Sequence, residues 1–207
     1  MPNSFGVKLS ESFARYGQLC VGIDPHAALL DEWGLNDDVQ GLEKFANAVL
    51  DAATSRVGII KPQVSFFERH GSRGFAVLEK LAERASQTDL LVIMDAKRGD
   101  IGSTMDAYFD AWLGQHAPFA ADALTVSPYL GFGSLKDTLS GALERGKGVF
   151  VLAATSNPEG ASVQRATLGD KTLAKSIWDS LGEINAVTSA GKARLGSFGA
   201  VLGATLN

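Results

Sequence analysis

The chain is short of most features that mark a secreted, membrane-spanning or metal-dependent protein. It has one cysteine, Cys20, set in an apolar run. An internal disulfide is thereby excluded, and a lone thiol of this kind suits a reducing cytoplasm and a structural role. Three histidines, His26, His70 and His116, share no ligand spacing with one another or with acids, so no metal site is predicted. No apolar run approaches membrane-spanning length, and the first residues carry no charged-then-apolar leader pattern, so no membrane partner is expected. Basic residues number 19 against 23 acidic ones, a net charge of −4. That balance argues against general nucleic-acid binding and requires any anionic ligand to find its positive contacts locally. A Gly-x-Gly-x-x-Gly turn after the first strand and a Walker loop are both missing, which weakens a nucleotide-binding doubly wound sheet. Low-complexity segments and linkers are missing too.

What is present is ordinary globular material. Hydrophobic residues make up 45% and charged residues 20% of 207 positions, enough for one domain, taken as 1–207, with a sizeable core. Apolar runs and helical stripes alternate along it. Strands are predicted at 18–23, 57–60, 90–94, 123–126, 148–153 and 199–204. Between them fall amphipathic stripes: Leu42, Phe45, Ala46, Val49 and Leu50; Phe75, Leu78, Leu81, Ala82 and Ala85; Met105, Tyr108, Phe109, Trp112 and Leu113. Further helices are expected near 135–143 and around Leu173, Ile177, Leu181 and Ile184. Six strand–helix alternations imply parallel strands joined by right-handed crossovers.

Polar residues follow several of these strands: Asp24, Lys61, Asp95 with Lys97, and Ser156. Side chains from the carboxyl ends of many strands converge only if those ends form one rim, the arrangement of a (β/α)8 barrel. An open sheet would bring together just those beside its switch point. The densest of these places is Asp95-Ala-Lys97-Arg-Gly-Asp100, after the run Leu90–Met94. Strand alternation would put Asp95 and Lys97 on one side, and a glycine turn can fold Asp100 back toward the lysine. Two neighbouring carboxylates stay ionised when a cation lies between them, an attraction of about 4 kcal/mol per pair at 4 Å and an effective dielectric near 20. Such a set can repel a negative group and then deliver a proton. Each residue also has a plainer reading. Asp95 and Lys97 fit a solvated charge cluster on a loop with Asp100 or Ser103 as a helix N-cap, Asp24 before proline a turn, Lys61 a solvated strand end, and Ser156-Asn157-Pro158 a turn.

The pattern Asp95-Ala-Lys97-Arg-Gly-Asp100-Ile-Gly-Ser-Thr104 resembles the D-x-K-x-x-D-I-G-x-T motif of the orotidine 5′-monophosphate decarboxylase family. Gly22-Ile-Asp24-Pro-His26, Ile60-Lys61-Pro-Gln and Ser156-Asn-Pro support the likeness in the same chain order. His26 and Gln63-Val-Ser-Phe-Phe-Glu68 look like the bacterial, mycobacterial-type subgroup. The resemblance implies cofactor-independent decarboxylation of orotidine 5′-phosphate to UMP in pyrimidine biosynthesis. It implies that Asp24 and Lys61 bind ribose hydroxyls, with Lys61 joining the charged network. Asp95 would lie against the substrate carboxylate and Lys97 would protonate C6. Asp100 and Thr104 would reach the neighbouring site of a homodimer. Ser156 would hydrogen-bond the pyrimidine, and the polar segment after it would close as a lid.

Family barrels have eight strands, and this chain supplies about six β/α units. It ends on Ala204-Thr205-Leu206-Asn207 with no helix after the sixth strand, so a form truncated from a longer chain is expected, with the phosphate-binding residues beyond residue 207. Little or no decarboxylase activity is expected if the chain ends there. Two other readings are a magnesium-dependent sugar-phosphate decarboxylase or aldolase of the same superfamily, and a non-catalytic dimerising remnant. The first would want a carboxylate near the second strand, where Lys61 stands.

Overall fold

The computed structural model describes residues 3–189 and 194–204. Helix α1 (Phe5–Tyr16) precedes β1 (Cys20–Ile23), and α2 (Ala27–Glu32) and α3 (Val39–Ala53) lead to β2 (Ile59–Pro62). Helices α4 (Val64–Glu68) and α5 (Gly71–Ser86) lead to β3 (Leu91–Arg98), and α6 (Gly102–Trp112) to β4 (Ala123–Val126). A 3-10 turn (Phe132–Leu135) and α7 (Lys136–Glu144) precede β5 (Gly148–Ala154). A second 3-10 turn (Pro158–Gly160), α8 (Ala161–Gln164), the short strands β6 (Thr167–Leu168) and β7 (Lys171–Thr172), and α9 (Leu173–Thr188) then lead to β8 (Phe198–Leu202).

Six strands lie in the order β1-β2-β3-β4-β5-β8, which is sequence order once the β6–β7 hairpin is set aside. A doubly wound sheet reverses direction at its centre, and this order never does. Strands β1 and β2, β2 and β3, and β5 and β8 pair in parallel. Singly wound parallel strands alternating with helices are the architecture of a (β/α)8 barrel, of which the described residues supply six strands.

The chain packs as two compact units, and the division falls within β3. One comprises Glu11–Ala96 and Asp110–Ala123. Its core takes Leu42, Phe45 and Leu50 from α3, Leu78 and Leu81 from α5, and Met94 from β3. These helices form because their apolar residues recur every three or four positions, and α3 starts where the Asp38 carboxylate accepts from Gly41 N at 2.8 Å. The other unit comprises, among the described residues, 3–10, 97–109, 124–189 and 194–204. It buries Met105, Leu124, Leu139, Val151, Ile177 and Leu181, and Phe5 meets Phe150 edge-on at 6.0 Å.

Several expected boundaries move. Strand β2 runs to Pro62 because its pairing with β1 continues to Ile23↔Pro62, so Lys61 stands within the strand rather than after it. Strand β3 runs past Met94 to Arg98, whose carbonyl accepts from Ser127 N at 2.7 Å. The polar stretch after Ser156 holds a turn, a helical turn and a hairpin closed at Gly169, which has a φ of +66°. The expected ending at Thr205–Asn207 lies outside the described residues.

Candidate active site

In the first unit the β1–β2 ladder sets Gly22 opposite Lys61. Beyond its end, Gln63 N donates to Ile23 O at 3.1 Å and Gln63 bridges to Asp95 in parallel fashion. These pairings bring Lys61 and Gln63 onto one oxygen. Asp95 Oδ2 accepts from Lys61 Nζ at 2.9 Å and from Gln63 Nε2 at 3.0 Å. Asp95 is 8% exposed, and a carboxylate so buried is tolerable only with donors of this strength. Asp24 approaches from β1, where its carboxylate fills the space above Gly22 that a Cβ would occupy.

Burial alone would lower the pKa of Lys61. The hydrogen bond and charge of Asp95, aided by Asp24 and Cys20, outweigh it and hold the ammonium above the ordinary lysine value. Cys20 answers oppositely. Burial pushes its thiol up, Lys61 pulls it down, and Asp24 and Asp95 push it up again, leaving it above its usual value.

In the second unit Lys97 has a φ of +51°, a left-handed conformation costly for a side-chain-bearing residue. Its amide donates to Thr125 Oγ1 at 2.9 Å, and Thr125 is buried on β4. The kink interrupts the regular pleat, so simple alternation no longer sets where Lys97 points, and the residue is exposed. Gly99 follows, where a Cβ would stand 2.5 Å from Ser127 O, so only a bare α-carbon lets the chain pass. Where a turn of Asp100 toward Lys97 is expected, Asp100 Oδ1 accepts from Ile101 N at 2.8 Å, a local turn interaction with the next amide. Thr104 lies in the first turn of α6 and is exposed, as are Ile101, Gly102 and Ser103.

Ser156 is exposed just past β5. Beside it Asn157 Nδ2 donates to Glu159 Oε2 at 3.0 Å and holds that carboxyl below its usual range. The histidines keep to loops and caps: His26 Nδ1 accepts from Leu29 N at 3.2 Å to start α2, His70 precedes α5, and His116 is exposed. Among the described residues no three histidine, cysteine or acidic side chains gather to hold a metal ion. No described helix is long and apolar enough to cross a membrane.

Of the expected residues, then, Asp24, Lys61 and Asp95 converge, and Lys61 places an ammonium on Asp95 Oδ2. Gln63 was not expected there. A neutral amide two residues after Lys61 carries no signal until its pairing opposite Asp95 is known. Thr125, buried within a four-residue apolar strand, was equally silent.

The model of the orotidine 5′-phosphate decarboxylase / HUMPS family matches residues 17–207. The chain is 56% identical over 202 residues to the orotidine 5′-phosphate decarboxylase of Streptomyces coelicolor, covering 98% of this chain and 72% of that one. It is 53% identical over 204 residues to that of Salinispora arenicola, with the same two coverages, 98% and 72%. A crystal structure from Streptomyces avermitilis, of a protein proposed to be this decarboxylase, superposes with a TM-score of 0.94 at 54% identity, over 100% of this chain and 71% of that one. The Leishmania donovani OMP decarboxylase structure gives a TM-score of 0.77 at 32% identity, over 98% of this chain and 72% of its own. The chain belongs to the orotidine 5′-phosphate decarboxylase / HUMPS family.

Proposed function

We propose that the chain is an orotidine 5′-phosphate decarboxylase that converts its substrate to UMP at the carboxyl ends of its strands, with Lys97 as the proton donor. One observation carries the assignment of roles. The buried Asp95, tied to Lys61 and Gln63, stands two residues before a lysine whose backbone is held in a left-handed kink by a buried hydroxyl. Strain of that kind is kept where a fixed geometry matters.

Asp24 and Lys61 bind the ribose hydroxyls, Ser156 the pyrimidine, and Asp95 lies against the carboxylate that departs. The C6–carboxylate bond breaks, its electron pair stays on C6, carbon dioxide leaves, and the Lys97 ammonium gives C6 a proton. The ammonium lowers the barrier by facing the negative charge as it develops, which we take as the larger effect beside repulsion from Asp95. No cofactor enters the scheme. The exposed stretch around Asp100 and Thr104 serves the site of a second copy in a homodimer.

Lys97→Ala should lower kcat by about 10⁴-fold while leaving the fold intact, and near-normal turnover overturns the proposal. Mixing Lys97→Ala with Asp100→Ala subunits should restore activity through hybrid dimers. Inert mixtures, with dimers present, overturn the shared site.

A further inference from the structure

Gln164, the last residue of α8, is half-buried in a stretch whose nearest neighbours are exposed. Both ends of its amide engage a single residue nine positions earlier. Thr155 N donates to Gln164 Oε1 at 2.8 Å, and Gln164 Nε2 donates to Thr155 Oγ1 at 2.7 Å. The backbone N–H can only donate, so it fixes which way the amide faces. The Thr155 hydroxyl in turn donates to Asn157 Oδ1 at 2.6 Å, and Asn157 Nδ2 donates to Glu159 Oε2 at 3.0 Å. The four side chains thus form one directed chain from the Gln164 amide to a carboxylate. Ser156 lies between two of its members and makes none of these bonds.

Two bare α-carbons complete the arrangement. A Cβ on Gly160 would meet Thr155 Oγ1 at 2.9 Å and both amide heads of Gln164 at 3.0 Å. A Cβ on Gly203 would meet Ser156 N at 2.7 Å and its Cα at 2.9 Å, and Gly203 N donates to Ala154 O at 2.7 Å. The backbone of Ser156 is therefore held through Thr155 and closely approached by Gly203, just past β8.

We propose that Gln164 is a positioning residue for Ser156: its two-point clasp on Thr155 fixes the Thr155–Ser156 peptide so that the serine hydroxyl meets the pyrimidine of the substrate. The inference rests on the role given to Ser156 above. A fold-stabilising amide would act independently of that hydroxyl, and a positioning one acts only through it.

A double-mutant cycle on the full chain, read by steady-state decarboxylation, separates the two. Ser156→Ala should lower kcat/KM about tenfold, as for the loss of one hydrogen bond to substrate. Gln164→Ala should lower it about fivefold, and the double variant should be no worse than Ser156→Ala alone. Gly160→Ala, which leaves Gln164 in place and crowds the clasp, should reproduce Gln164→Ala. Gln164→Glu keeps an acceptor for Thr155 N but no donor for the hydroxyl at neutral pH, and should fall between wild type and Gln164→Ala. Losses that multiply in the double variant overturn the proposal, as does a wild-type Gln164→Ala beside an impaired Ser156→Ala. A wild-type Ser156→Ala instead overturns the reading of Ser156 itself and the clasp's purpose with it, an outcome visible in that single variant.

Discussion

The carboxylate of Asp24 lies over the bare α-carbon of Gly22, and Gly22 is the residue opposite Lys61 in the β1–β2 ladder. A side chain at position 22 would drive Asp24 off this place. The displaced atom is the far end of a rotatable side chain, so the fold should hardly notice. Gly22→Ala is expected to lower kcat/KM about tenfold, approaching Asp24→Ala, with stability changed by less than about 1 kcal/mol. Wild-type kinetics in Gly22→Ala would show that the placement of Asp24 has no functional weight.

Removing the ammonium from Asp95 leaves a buried carboxylate with a weaker set of donors. Lys61→Met should cost about 2 kcal/mol in urea unfolding, and Asp95→Asn in the same chain should recover part of the loss. Additive losses would show that the two residues do not depend on each other.

The same pair sets a pH dependence at the alkaline end. The folded pKa of Lys61 is raised, so its contribution is fully present below the unfolded lysine value of about 10.4 and is lost as pH climbs through the folded value. The gap in urea midpoint between wild type and Lys61→Met should stay level from about pH 6 to 9 and close above about pH 10.4. A gap that already closes between those first two values contradicts the assignment.

Lys97 trades local comfort for position. Lys97→Gly and Lys97→Ala both remove the amine, but glycine accepts a φ of +51° freely. Both should be inactive, with the glycine variant more stable by about 1 kcal/mol in chemical denaturation. Equal stabilities would mean that the kink carries no strain.

Thr125→Val keeps the shape of a residue that is 3% exposed and deletes the acceptor for Lys97 N. A loss of about 1 kcal/mol is expected, with a fall in kcat larger than any rise in KM, because the lysine is loosened rather than the substrate. An unchanged kcat would show that Lys97 holds its place without the hydroxyl.

Much of the fold could be read in advance where the signal was local. Strand β4 is found at 123–126 as predicted, and the stripes Leu42–Leu50 and Met105–Leu113 supply buried faces of helices. Helices α2 and α4 span six and five residues, too few to display a period, and the β6–β7 hairpin has two residues per strand. Helix α1 leaves a fainter trace in the sequence, with Phe5 and Leu9, four residues apart, both buried. At the site, the charged residues announced themselves and their pairing did not. Lys61 reaches Asp95 across 34 residues by way of strand register, and Asp100 engages the amide of the residue after it. Register is a tertiary fact, and the outcome of a competition among local hydrogen bonds is one that composition cannot rank.

Cys20 shares its surroundings with Lys61, Asp24 and Asp95, and its thiol is held above the ordinary value. At neutral pH very little of it is thiolate, the form that attacks alkylating reagents and disulfides. Cys20 is therefore expected to react more slowly than an unperturbed, exposed thiol. A second cysteine introduced on the hairpin after Ser156 should be labelled faster than Cys20 and report on that segment.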